Sequence, residues 1–257
     1  MRWQLLLLAL VSGFAFGQVQ VEELPTRAGV TLRFAYAKAE NPIASAVLFQ
    51  GGSGNIGMFP NGSMRVENFL SGGARRFADN GISVAIVDVP SDRRSLDGFR
   101  DTPEHAQDAA AVIAFLRRQS DLPVWAIGTS NGSLSAATAA ALLKERGPDG
   151  IVLTSSVTRK PSPAAAVSPV TDAALDRITV PALFVHHKSD GCAATPYDAI
   201  PGVMELMKRS KKIDLITVEG GENRGNPCRT GYHQFLGIEA AVTKQIADWI
   251  RNYQAKR

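Results

Sequence analysis

Short apolar runs at residues 44–49, 82–87, 124–127, 151–154, 182–186 and 213–218 alternate with stretches of helical spacing, and this alternation is the strongest constraint on the fold. Runs of this length read as strands, and strands alternating with helices imply a parallel sheet. Parallel strands need crossover connections, and the intervals between the runs are long enough to hold helices. A hairpin is expected ahead of them, over residues 19–36. Thr102-Pro103-Glu104 supplies an N-cap, a proline at the first helical position and an early acid, predicting a helix to about residue 119. Ile238, Val242, Ile246, Trp249, Ile250 and Tyr253 recur at three and four, the stripe of a last helix packed on the sheet. The expected class is α/β, a doubly wound parallel sheet in one domain, with no repeat and no long linker.

One of these runs leads into Gly128-Thr129-Ser130-Asn131-Gly132, and an alanine-rich helical stretch follows at 133–143. A serine between two glycines at a strand-to-helix turn sits in a strained backbone, with its hydroxyl held out at the sheet end. The pattern alone is weak, since a glycine-rich loop can match it by chance. Its context is more specific. Asp190 lies just past the apolar run ending in His186-His187, and His233 follows a glycine-rich loop after the run at 213–218. The order Ser130, Asp190, His233 provides a nucleophile, a carboxylate that fixes the imidazole tautomer, and a base that accepts the serine proton.

On these residues the chain resembles the α/β-hydrolase superfamily, from about Val30 to the C-terminus. Within it the chain looks most like small secreted or periplasmic hydrolases of dienelactone-hydrolase or carboxylesterase type. The resemblance implies a mostly parallel eight-stranded sheet wrapped by helices, with the site at the carboxyl ends of the strands. It also implies an oxyanion hole. The run Phe49-Gln50-Gly51-Gly52-Ser53-Gly54 matches the early strand-plus-glycine element, making the Gly52 N–H one donor with Ser53 as the neighbouring alternative. The Asn131 N–H, at a helix start, is the second. Gln50 stands where many relatives carry histidine, a departure that bears on how the loop is supported. The expected activity is cleavage of small carboxylic esters through an acyl-enzyme, without cofactor or metal. Peptidase or acyltransferase chemistry on the same triad is the alternative, and ligand binding without turnover is a third reading from another class.

The N-terminus differs in kind from the rest. A short basic start, an apolar run at 5–11 and Ala15-Phe16-Gly17 read as a signal peptide over residues 1–17, leaving 18–257 as the hydrolase domain, secreted or periplasmic. The apolar run is too short for a stable membrane anchor. Export fits the two cysteines, Cys192 and Cys228, as a disulfide. A zinc site and a pair of buried thiols are the alternatives, although the spacing matches no metal motif. If the triad forms, both cysteines are carried to the same corner of it. The net charge of +4 is no nucleic-acid footprint, and 208–212 reads as the solvated basic end of a helix.

Other polar residues carry weaker readings. His186 and His187 fit satisfied core histidines, and His105 a solvated helix start. Asp88 ends a strand and competes with Asp190 for the acid role. Arg93 and Arg94 read either as surface arginines or as a clamp for an anionic substrate. Residues 155–181 are short and proline-rich, so an open cleft without a multi-helix lid is expected. The 55–63 loop, with Met58 and Phe59, either lines a wall of that cleft or simply covers core.

Overall fold

The computed structural model describes residues 19–255, so the reading of 1–17 lies outside the described residues. The expected hairpin is β1 (Gln20–Arg27) and β2 (Val30–Ala37), paired antiparallel. Then come β3 (Ala44–Phe49), β4 (Ile82–Pro90), β5 (Val124–Thr129), β6 (Gly150–Thr154), β7 (Ala182–His187) and β8 (Ile213–Val218). All eight form one sheet in the order β1-β2-β4-β3-β5-β6-β7-β8. The β2–β4 pair is antiparallel, and every pair from β4 through β3 to β8 is parallel.

Helices cover both faces. Inward residues alternate along each strand: Val47, Phe49 and Ala126 pack with α2 (Pro103–Gln119), α3 (Gly132–Leu143) and α4 (Ile200–Glu205). Ala46, Leu48 and Ile127 pack on the opposite side with α1 (Ala74–Asp79) and α5 (Glu239–Gln254). Two-sided burial explains why β3, β5, β6 and β7 are apolar almost throughout. From β3 the chain crosses to β4 on one side, and later returns to β5 on the other. The carboxyl ends of β3 and β5 therefore flank the switch point of the sheet, where open α/β sheets form their binding crevice. The 50–54 loop and Ser130 lie at those two ends.

Two expectations need correction. His105 is not solvated: it is 4% exposed, with its ring edge-on between Phe49 and Phe99. The basic run 208–212 does not end a helix, because α4 stops at Glu205 and the run forms the turn into β8, where Lys212 pairs with Asp214. Other expectations hold. Residues 155–181 contain only the short 3-10 turns Val170–Asp172 and Leu175–Arg177. In the 55–63 loop Met58 is buried while Phe59 is exposed. Asp88 accepts hydrogen bonds from the Ile56 and Met58 backbone N–H groups, so it anchors this loop and makes no contact with His233.

Candidate active site

The turn after β5 is as sharp as the sequence requires. Ser130 has φ +54°, in the left-handed region where a side chain is strained. A Cβ on Gly128 would overlap the Gly132 carbonyl, and one on Gly132 would overlap the Phe49 carbonyl, so close backbone approach excludes any larger residue at either position. The loop after β3 lies directly against the serine: a Cβ on Gly51 would sit 2.9 Å from the Ser130 Cβ. Neither the Gly52 nor the Asn131 backbone N–H donates a hydrogen bond within the described residues, which leaves both available to an incoming oxygen. The Asn131 side chain joins the two loops, donating from Nδ2 to the Gly52 carbonyl at 3.2 Å. Its Oδ1 accepts from the Ser168 N–H.

Asp190 and His233 meet as expected, with His233 Nδ1 at 2.9 Å from Asp190 Oδ2. Both side chains are fully buried. Since a carboxylate accepts, Nδ1 carries the proton and Nε2 of the neutral ring is the acceptor. Nε2 is buried and has no hydrogen-bond partner within the structure, so the expected hydrogen bond between Ser130 and His233 is not formed in it. Ser130 and His233 are both secured to the end of β6: the Ser130 N–H donates to the Thr154 carbonyl, and Ser155 Oγ donates to the His233 carbonyl. His187 stacks on Tyr232, with ring centres 4.0 Å apart, and this steadies the turn that presents His233.

Three further groups hold the carboxylate. The Cys192 N–H donates to Oδ1 at 2.9 Å, and Thr195 Oγ1 to Oδ2 at 2.9 Å. His186 Nε2, which donates to the Thr195 carbonyl, is 3.5 Å from Oδ2. Burial works to raise the Asp190 pKa, but the hydrogen bonds of His186, His233 and Cys192 outweigh it and hold the carboxyl well below the ordinary range. Asp190 is thus an anion at neutral pH. Thr195 had no signal in the sequence, since a buried threonine after a cysteine is unremarkable, and His186 gave only that of a core histidine.

Cys192 and Cys228 form a disulfide, which excludes the zinc and free-thiol alternatives. It ties the segment after Asp190 to the exposed loop before His233. The Arg93 guanidinium lies over the Phe99 ring, 3.6 Å from its centre. Beside Asn131 lies a recess of about 160 Å³ lined by Leu96, Arg100, Lys160, Ala165 and Val167, among others.

No family model matches the chain, and no curated protein matches it in sequence. Solved structures do. An esterase of Pyrococcus furiosus superposes with TM-score 0.68 at 12% identity, covering 92% of this chain and 91% of that one. A serine hydrolase without a lid from Xanthomonas campestris gives 0.58 at 16%, covering 91% and 95%. Dienelactone hydrolase from Anabaena variabilis gives 0.59 at 14%, covering 91% and 98%. Together with the strand order and the elbow after β5, these likenesses show that the chain has the α/β-hydrolase fold.

Proposed function

We propose that this protein is a serine hydrolase that cleaves small carboxylic esters through an acyl-enzyme. The observation that carries this reading is the strained Ser130 on its glycine-flanked turn, at the same sheet edge as a His233 whose Nδ1 is engaged by Asp190 and whose Nε2 is free to accept. Ser130 Oγ attacks the ester carbonyl as His233 Nε2 takes its proton, and the resulting imidazolium is stabilised by the Asp190 carboxylate. The oxyanion is held by the Gly52 and Asn131 N–H groups, Asn131 lying at the N-terminus of α3 where the helix dipole favours negative charge. His233 then protonates the departing alcohol, and a water activated by the same nitrogen releases the acid and regenerates Ser130. The named esterase and serine hydrolase among the structural relatives support the reaction class. The disulfide supports export to an oxidising compartment, in line with the signal-like residues 1–17.

The test is a fluorophosphonate label followed by peptide mapping, with modification expected at Ser130 and lost in Ser130→Ala. Labelling elsewhere, or none in folded protein, sinks the assignment. Matched acyl esters and amides separate esterase from peptidase: ester turnover is expected to exceed amide turnover, and the reverse order rejects the ester reading.

A further inference from the structure

Arg100 precedes α2 and is 2% exposed, yet no carboxylate pairs with it among the described residues. Asp97 acts on it only through space, and burial pushes its pKa down to about 10, so it stays charged at neutral pH. An isolated cation inside a protein is costly, and a position that needed only to be filled would hold methionine or leucine. The guanidinium is solvated instead by neutral oxygens. Its Nη1 donates to Ser135 Oγ at 2.7 Å, and Nη2 donates to the Gln50 carbonyl at 2.9 Å and the Gly52 carbonyl at 3.1 Å. Ser135 lies on α3, one turn beyond the elbow. One side chain therefore joins the helix behind the nucleophile to the peptide planes of the loop that carries the first oxyanion donor.

We propose that Arg100 is a positioning residue of the oxyanion site, fixing the Gln50 and Gly52 carbonyls from beneath and placing a buried positive charge under the loop where negative charge develops. This rests on the serine-hydrolase reading above. The Gly52 carbonyl is held from two directions, by Arg100 Nη2 and by Asn131 Nδ2, so the donors on both loops are set before substrate arrives. Donors that need no reorganisation are worth most at the moment an oxyanion forms, and a low-dielectric surrounding lengthens the reach of the charge. Both effects favour the tetrahedral intermediate over the neutral ester, so their loss falls on kcat more than on KM.

The experiment compares Arg100→Met, Arg100→Lys and Ser135→Ala with the wild type on p-nitrophenyl acetate. It adds the inhibition constant of a trifluoromethyl ketone, which forms a tetrahedral oxyanion on serine, and the melting temperature of each protein. Arg100→Met is expected to lower kcat about 100-fold with KM within threefold, and to weaken the ketone by a similar factor. Arg100→Lys keeps the charge and recovers part of the loss in both readings. A folded Arg100→Met with kcat within threefold of wild type overturns the proposal, and so does a loss carried by KM alone. Should Arg100→Met not fold, Ser135→Ala takes its place: it frees one anchor, with a severalfold fall in kcat and in ketone affinity expected, and unchanged values overturn the proposal. A wild type that neither labels at Ser130 nor hydrolyses esters brings down the serine-hydrolase reading and this one with it. Normal labelling and turnover beside an unaffected Arg100→Met removes the Arg100 role alone.

Discussion

Ser130 holds φ +54° with a full side chain, a conformation that costs on the order of 1–3 kcal/mol. If that strain serves only to expose the nucleophile, Ser130→Gly should melt higher than wild type, by about 1 kcal/mol of stability, while losing ester turnover. Calorimetry beside an ester assay checks this, and a variant that melts lower contradicts a strained turn. His105 makes a second prediction at this scale. Burial first, then the positive charges of Arg100, Arg27 and Arg93, depress its pKa to about 3, against 6.5 for a free imidazole. Its two ring nitrogens have no partner. Below about pH 6.5 the unfolded chain binds a proton that the native state refuses, so stability falls as pH drops through 6.5 towards about 3, by up to about 1.4 kcal/mol per pH unit. Asp190 adds to the same trend at lower pH, because its depressed pKa contributes stability that begins to be lost as pH falls to the ordinary carboxylate range and goes on falling below it. His105→Leu should flatten the urea-measured stability between pH 6.5 and about 4.5. An unaltered slope shows that another group carries it.

At the scale of elements, the loops after β7 and β8 carry Asp190 and His233, the proposed acid and base, and the Cys192–Cys228 disulfide joins them across a separation of 36 residues. In the chain-entropy model a closed loop of that length contributes about 4 kcal/mol. Replacing both cysteines with alanine is expected to lower the melting temperature by roughly 10 °C. Turnover should fall severalfold as well, because the exposed 219–230 loop then presents His233 less firmly. Scanning calorimetry and kcat on one preparation test the coupling, and a stability loss without any change in kcat limits the bond to a structural role. The helix boundaries illustrate how local signals reach this level. Thr102 accepts from the His105 N–H and Pro103 is the first residue of α2, as the cap pattern alone predicts.

For the whole molecule, short 3-10 turns rather than a helical cap span the interval between β6 and β7, so no multi-helix cover lies over the site among the described residues. The recess beside Asn131, about 160 Å³, matches the volume that accommodates a benzene-sized group. Acetate and butyrate esters should exceed the decanoate ester at least tenfold in kcat/KM, with no jump in rate when substrate passes its solubility limit. Interfacial activation, or preference for the long chain, contradicts an open short-chain site.

The elements and the order of the chemical groups were legible along the chain because periodicity, caps and turn residues act over a few positions. β3 spans Ala44–Phe49 and β8 spans Ile213–Val218, where their apolar runs predict them. The proposed Ser130, Asp190 and His233 stand out because each follows such a run, and parallel strands bring their carboxyl ends to one edge, where Asp190 and His233 are hydrogen-bonded. What holds those groups was not legible. Thr195 and His186 on Asp190, and Arg100 under the Gln50 and Gly52 carbonyls, depend on side-chain direction and on partners as far as 50 residues away. His105 follows the same rule in reverse: a helix start suggests water, but the packing of α2 on the sheet puts the ring between Phe49 and Phe99. Hydrogen bonds and burial of this kind exist only once the sheet and its helices have closed together, so tertiary structure decided them.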